Sequence, residues 1–176
     1  LAKPIAAAVQ AVLVCVTGGG KVLACGDAGS TALASYVTAQ FIGRFERDRP
    51  GLGAIALTAD GPLVSALASG TDSSLLYAQQ VRALGQAGDV LLVLSTAGQG
   101  AAVLHAVEAA HERDMSIVAL TGASGGDLAR RLRETDVHIS VPHERTARIR
   151  EVHMLALHSL CAGVDAHLLG DQENPT

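Results

Sequence analysis

Short apolar runs alternate with longer amphipathic stretches along most of the 176 residues of this chain. The apolar runs are rich in Val, Ile and Leu and have no regular polar face, as is typical of parallel strands buried on both sides. Strands are predicted at Lys21–Cys25, Gly53–Thr58, Asp89–Leu94, Ser116–Leu120 and Val137–Val141. A strand–helix–strand alternation makes right-handed crossovers, so it predicts a parallel sheet covered on both faces. We therefore expect an α/β fold, a three-layer αβα sandwich with a five-stranded parallel sheet.

Helices are predicted in the segments between and after these strands. Four of them lie at Ser30–Phe45, Ser73–Leu84, Gln99–Arg113 and Gly126–Arg133. A long final helix is predicted over Arg145–Leu169, because its apolar residues recur at three- and four-residue spacing.

The N-terminal stretch Ile5–Val16 is apolar and resembles the core of a signal peptide. It is shorter than the roughly 20 residues needed to cross a bilayer, and its alanines suit a packed helix. We expect a single domain over residues 1–170 and a loose tail over 171–176. Because the chain begins at Leu1 without a methionine, we also expect that further residues precede the first helix.

Composition excludes several classes of protein. Hydrophobic residues make up 49% and charged residues 17%, which excludes a disordered chain. The net charge is -4, and the aromatic residues are two Tyr and two Phe, so a basic surface with stacking aromatics for nucleic acid is not expected. The cysteines Cys15, Cys25 and Cys161 are odd in number and lie in apolar runs. They predict buried, reduced thiols and a cytoplasmic protein without membrane contact.

Three loops rich in Gly, Ser and Thr follow predicted strands: Gly26–Thr31, Ser95–Gly100 and Thr121–Gly126. Ligands of open parallel sheets bind beyond the carboxyl ends of the strands, where such loops meet. Glycines let backbone N–H groups approach an anion, hydroxyls add donors, and a helix N-terminus adds partial positive charge. Three such loops at one edge favour a site for a phosphorylated small molecule over simple helix capping. No GxGxxG or GxxxxGK[ST] pattern is present, which argues against a dinucleotide or a nucleoside triphosphate.

The segments CGDAGST, GRFERDRPGLGAIALTAD, QVRALGQAGDVLLVLSTAGQG, MSIVALTGASGGDLA and ARIREVHMLALHSL together resemble the sugar-isomerase (SIS) domain family. The resemblance covers nearly the whole chain and implies a flavodoxin-like fold. Within the family, the chain resembles the phosphoheptose isomerases and, more nearly, the DnaA initiator-associating proteins (DiaA). Both groups form homotetramers, so the resemblance implies a homotetramer here.

The resemblance also implies a set of phosphosugar-binding residues: Gly26, Asp27, Gly29, Ser30, Asp60, Ser95, Thr96, Gly98, Gln99 and Ser124. The family's loop STSGNS is STAGQG in this chain, and CGNGGS is CGDAGS. Asp27 replaces a neutral asparagine and is expected to repel a phosphate, so we expect weaker binding or a different ligand. Asp60 is explained equally well by a turn with Gly61 and Pro62.

The catalytic positions of the isomerases differ more strongly. Their glutamate aligns with Gln40, their two histidines with Tyr36 and His158, and their glutamine with Arg150. Of these four, only His158 matches the family. An amide cannot move a proton at neutral pH and a guanidinium cannot ligate a metal, so no metal or other cofactor is expected.

These differences favour a non-catalytic phosphosugar-binding protein of the DiaA kind, which regulates replication by binding DnaA. Leu168 and Leu169 align with the family's DnaA contact, although a tetramer contact explains them slightly better. The alternative is an isomerase for sedoheptulose 7-phosphate with a rearranged acid/base set that uses His158. A third hypothesis, a sugar-phosphate sensor within another regulator, is less favoured. The remaining histidines are expected on helix surfaces or at interfaces: His105, His111, His138, His143, His153 and His167.

Overall fold

A computed structural model describes residues 1–58, 60–70 and 72–170 of the chain, so the predicted tail over 171–176 lies outside the described residues. Its five strands form one sheet in the order β2-β1-β3-β4-β5, and every neighbouring pair is parallel. The strands are β1 (Val22–Gly26), β2 (Ala54–Ala56), β3 (Val90–Ser95), β4 (Ser116–Gly122) and β5 (Val137–Val141). The predicted α/β fold is therefore confirmed.

Seven α-helices and one 3₁₀ turn connect and flank these strands in the described part of the chain. The helices are α1 (Ala2–Thr17), α2 (Ser30–Ile42), α3 (Gly61–Gly70), α4 (Leu76–Leu84), α5 (Ala101–Glu112), α6 (Gly126–Arg131) and α7 (Thr146–Leu169), and the 3₁₀ turn is Ser73–Leu75. Helix α3 was not predicted from the sequence. Helix α2 ends at Ile42, three residues earlier than predicted, because the glycine that follows, Gly43, favours the end of a helix.

The core lies on both faces of the sheet because side chains of each strand alternate between them. On one face, Val22 and Ala24 of β1 pack with α1, α2 and α7. On the other face, Leu23 and Cys25 belong to a second cluster with residues of α4 and α5. This arrangement places helices on both sides of the sheet, as in a three-layer sandwich.

All three cysteines are free and buried, as predicted. Burial raises the pKa of the Cys15 thiol to about 11 and that of Cys161 to about 12. Desolvation likewise raises the pKa of the Cys25 thiol. These thiols are therefore protonated at neutral pH.

Helix α7 is, among the described helices, the one that is long and apolar enough to cross a bilayer. Several of its apolar side chains belong instead to the core, including Ile149, Leu157, Leu160 and Val164. A core helix of this length satisfies the same criterion of length and composition.

Candidate functional site

The three predicted loops meet at the carboxyl edge of the sheet, where β1, β3 and β4 end. The Gly98 N–H donates to Ser95 Oγ at 2.8 Å, and the Gly98 carbonyl accepts from Leu128 N at 3.0 Å. Gly122 N donates to the Thr96 carbonyl at 3.2 Å. Gly98 has a φ of +65°, and a Cβ on it would collide with the Gly125 carbonyl oxygen. A larger residue at position 98 would therefore separate the second loop from the third.

The Asp27 side chain reaches from the first loop into the second. Ser95 Oγ donates a hydrogen bond of 2.5 Å to Asp27 Oδ2. A Cβ on Gly100 would lie 2.8 Å from the same carboxylate oxygen. A serine at position 100, as in the family's loop STSGNS, would collide with this carboxylate. The glycine at position 100 therefore leaves room for the aspartate at position 27. The Asp27 carboxylate thus occupies the space beside Ser95 and Gly100.

Two helices point their N-termini at this edge without a side-chain cap. Gly29 precedes α2 and Gly100 precedes α5, and neither position has a capping side chain. Ser30, the first residue of α2, is fully buried, and its Oγ has no hydrogen-bond partner among the described residues. The N-terminus of a helix carries partial positive charge, so this edge suits an anion.

Helices α2 and α7 lie side by side and run in the same direction from this edge. Near their starts, Gly29 contacts the guanidinium of Arg150, and a Cβ on Gly29 would lie 2.7 Å from Arg150 Cζ. Two turns further along, the Tyr36 hydroxyl and His158 Nε2 are 2.9 Å apart in a half-buried hydrogen bond. The Phe45 ring lies 5.5 Å from the His158 ring, measured between centroids.

The far end of this α2–α7 contact is held by a buried ion pair. Arg49 Nε lies 2.6 Å from Asp165 Oδ1, and their side chains are 1% and 2% exposed. Arg49 also donates to the carbonyls of Phe41 at 2.8 Å and Gln40 at 2.9 Å. These bonds satisfy carbonyls at the C-terminus of α2 that have no partner within the helix.

The four positions that resemble the isomerase catalytic residues supply a phenol, an amide, a guanidinium and an imidazole. These are Tyr36, Gln40, Arg150 and His158. A divalent cation needs several carboxylate, thiolate or neutral imidazole ligands, and a guanidinium has no acceptor to offer. In the described ranges, no group of three or more His, Cys, Asp or Glu side chains is placed to hold a metal ion. The residues present at these four positions therefore do not fit a site for a divalent metal ion.

The other predicted site residues lie at the rim of this edge. Gln99 and Ser124 are exposed, Thr96 is half-buried, and Gly26 is buried with its carbonyl accepting from the Tyr77 hydroxyl at 2.8 Å. Asp60 is exposed, and its Oδ1 accepts from Leu63 N at 2.9 Å at the start of α3. Asp60 thus has a capping role that agrees with the turn interpretation. Beside it lies a cavity of about 390 Å³, lined in part by Ser35 and Thr38.

Two histidines near the site are more buried than predicted. His153 is fully buried on α7, and its Nε2 lies 3.0 Å from the Thr121 carbonyl. His138 Nε2 lies 2.7 Å from Thr121 Oγ1. Burial lowers the pKa of both imidazoles. The prediction of a surface or interface position is wrong for His153, because the apolar spacing of α7 does not reveal which polar residue faces the sheet.

This αβα fold, with hydroxyl- and glycine-rich loops at the carboxyl edge of its sheet, is that of a sugar-isomerase domain. The SIS domain family matches residues 1–122, and the chain belongs to this family. More specifically, the chain is similar to phosphoheptose isomerases. It is 61% identical over 173 residues to the phosphoheptose isomerase of Methylibium petroleiphilum, an alignment covering 98% of this chain and 86% of that protein.

Solved structures show the same similarity. The phosphoheptose isomerase of Neisseria gonorrhoeae superposes with a TM-score of 0.88 at 44% identity, covering 93% of this chain and 86% of that one. The phosphoheptose isomerase of Francisella tularensis superposes with a TM-score of 0.91 at 41% identity, covering 94% and 86% of the two chains.

These similarities correct one expectation from the sequence. The relatives carry the name of an enzyme, which contradicts the expected non-catalytic regulator that binds DnaA through Leu168 and Leu169. That expectation relied on Tyr36, Gln40 and Arg150 standing where three of the family's four catalytic residues are expected. It did not foresee that Tyr36 and His158 form a hydrogen-bonded pair. Leu168 and Leu169 lie in the last turn of α7.

Proposed function

We propose that the chain interconverts the ketose and aldose forms of a phosphorylated seven-carbon sugar, such as sedoheptulose 7-phosphate. The observation that carries this proposal is the hydrogen bond between Tyr36 and His158, which joins two groups able to exchange protons. The similarity to phosphoheptose isomerases, including one that is 61% identical, supports the same reaction class.

The reaction moves a proton between two adjacent carbons and another between their oxygens. A base removes a proton from C1 of the ketose while the C2 oxygen gains one, which gives an enediol. Loss of the proton from the C1 oxygen and return of a proton to C2 complete the aldose, so atoms and electrons balance. In this proposal His158 moves the proton between the carbons, because a ring nitrogen of imidazole can accept a proton and return it. The Tyr36 hydroxyl can both donate and accept, so it serves the oxygens.

The distance between the start of α2 and the pair of Tyr36 and His158 suits such a substrate. Tyr36 lies seven residues after Gly29, which corresponds to about 10 Å along α2. That span is comparable to the extended length of a seven-carbon sugar with a terminal phosphate. A phosphate near the start of α2 would therefore place the opposite end of the sugar at Tyr36 and His158.

The residues expected to contact the sugar phosphate surround this path. Backbone N–H groups and hydroxyls are supplied by Gly26, Gly29, Ser30, Ser95, Thr96 and Gly98, with Asp27, Asp60, Gln99 and Ser124 around them. We also expect a homotetramer in the cytoplasm. Exposed apolar side chains on α1 and α7, such as Val14 at 72% and Leu155 at 63% exposure, are consistent with an interface between subunits.

The proposal is tested by following sedoheptulose 7-phosphate by proton NMR for appearance of the aldose. We expect turnover by the wild-type chain and a loss of at least about 100-fold in kcat for His158→Gln, since positioned acid–base catalysis contributes that much. Tyr36→Phe removes the hydroxyl and should lower kcat with little change in KM. His167→Gln is the matched control, because His167 is an exposed histidine on the same helix. Absence of turnover by the wild type, or full activity of His158→Gln, would overturn the proposal.

A further inference from the structure

We propose that Phe45 is a positioning residue for the isomerisation: its ring restricts the His158 imidazole to the orientation in which it bonds Tyr36. The inference rests on the proposed function, because that function gives His158 the role of moving the proton. The contact between the rings of Phe45 and His158 is a separate observation, and it can be tested without turnover.

Two aromatic rings lie beside the His158 imidazole. The Tyr36 ring centroid is 5.6 Å from that of the imidazole at an interplanar angle of 54°, and the Phe45 centroid is 5.5 Å away at 40°. Tilted rings at such separations attract each other beyond the burial of their surfaces. The chain has two Tyr, two Phe and no Trp, so half of its aromatic side chains lie against this one imidazole.

One nitrogen of the imidazole is already bonded to Tyr36. Nε2 lies 2.9 Å from the hydroxyl, and in the described part of the chain it is the His158 nitrogen that has a hydrogen-bond partner. A single bond leaves the ring free to turn, because the outer torsion of a histidine side chain has broad minima. A flat ring packed against the imidazole removes this freedom. Phe45 therefore keeps Nε2 on the hydroxyl and leaves Nδ1 to exchange a proton with the substrate.

Phe45 is itself held in place by the segment that follows α2. Four residues further on, Arg49 forms its buried ion pair with Asp165 of α7. His158 and Asp165 are seven residues apart, which is close to two helical turns and places them on one face of α7. Phe45 and Arg49 thus contact the same face of this helix. The Phe45 ring is therefore fixed against the imidazole before any substrate binds.

A purely structural role for Phe45 makes a different prediction. Phe45 is half-buried and also packs against the apolar core beside α1, α2 and α7, so its loss lowers stability in either case. Leu52 is a matched comparison: it lies in the same connection between α2 and β2, is half-buried and packs against the same core residues. Leu52→Ala therefore shows what loss of apolar packing alone does to turnover.

The first test measures kcat and KM for sedoheptulose 7-phosphate, with thermal unfolding of each variant. We expect Phe45→Ala to lower kcat by about 10- to 100-fold with KM within about twofold, since a small misplacement of a reacting group costs that much. Phe45→Leu keeps apolar volume without the flat ring and should also lower kcat. Phe45→Tyr keeps the ring and should stay within about threefold of the wild type. Leu52→Ala should melt earlier but keep the kcat of the wild type.

The second test needs no turnover. In a chain labelled with ¹³C-histidine, the ring-proton signals of His158 are identified by their loss in His158→Gln. These signals should move in Phe45→Ala and Phe45→Leu, because the ring current of Phe45 is removed. They should stay in place in Leu52→Ala.

Wild-type kcat in Phe45→Ala, or equal losses of kcat in Phe45→Ala and Leu52→Ala, would overturn the inference. Turnover by the wild type together with His158 signals that do not respond to Phe45→Ala also refutes this inference and leaves the proposed reaction standing. Absence of turnover by the wild type, with His158 signals that move in Phe45→Ala, refutes the proposed reaction and supports the positioning of His158 by Phe45.

Discussion

The buried ion pair between Arg49 and Asp165 gives the sharpest prediction about how the site is held together. The two side chains are 1% and 2% exposed, and Arg49 also donates to the carbonyls of Phe41 and Gln40. Asp165→Asn keeps the shape of the side chain and removes its charge. The Arg49 guanidinium would then remain buried without a counter-charge, held in place by its bonds to the end of α2.

The expected cost follows from this burial. Breaking a buried pair by removing one partner typically costs 3–5 kcal/mol, and the asparagine oxygen still accepts a hydrogen bond, so we expect about 3 kcal/mol. For a domain of this size, that corresponds to a melting temperature lower by roughly 6–12 °C. Because the same pair aligns α2 with α7, the distance between Tyr36 and His158 should also become less well defined, with a lower kcat.

The measurement is calorimetry at one fixed protein concentration, since assembly would make the melting temperature concentration-dependent. Asp48→Asn is the matched control: it breaks the pair between Arg44 and Asp48, whose side chains are 65% and 85% exposed. Such a surface pair contributes little, so the control should melt within about 1 °C of the wild type. A melting temperature of Asp165→Asn that equals that of the control would refute this account of the α2–α7 contact.

Two further predictions concern protons and metals. Burial lowers the pKa of His138 and His153 below the ordinary value of 6.5. At pH values below 6.5, these two imidazoles therefore bind more protons in the unfolded chain than in the folded chain. The free energy of unfolding should therefore fall as the pH is lowered through this range, and urea midpoints at pH 7.5 and 5.5 should differ less in His153→Gln than in the wild type. An equal difference in both proteins would contradict this. Because Tyr36, Gln40 and Arg150 are poor metal ligands, dialysis against a strong chelator should leave turnover of sedoheptulose 7-phosphate unchanged. If the chelator abolished turnover and a divalent cation restored it, the reaction would depend on a metal ion and this prediction would be wrong.

The sheet and its ligand edge are predictable from the sequence because their signals are local. Runs such as Asp89–Leu94 are apolar at every position, and only a strand covered on both faces buries such a run completely. The carboxyl ends of parallel strands lie at one edge of the sheet, so the loops after Cys25 and Leu94 were expected at that edge, whereas the strand order that makes them neighbours came from the structure. Helix α3 has no comparable signal, since Gly61 and Pro62 at its start are typical of a turn.

The roles of single residues within the site were not predictable in the same way. From the sequence, Asp27 is expected to repel a phosphate. In the structure its carboxylate accepts a hydrogen bond from Ser95, 68 residues away. From the sequence, Arg150 is known only as a residue that cannot ligate a metal. In the fold its guanidinium lies against Gly29. The role of each of these two residues depends on which distant residue its side chain contacts.

By itself, the sequence determined the fold class and the edge where a phosphorylated ligand would bind, because hydrophobic periodicity and strand direction act over a few residues. Only the tertiary structure decided that Tyr36 meets His158, its partner 122 residues later in the chain. That contact depends on how α2 is aligned along α7, which is set by the packing of both helices on the sheet and by the buried pair of Arg49 and Asp165. Such an alignment is a property of the whole core, so no short segment of the sequence specifies it.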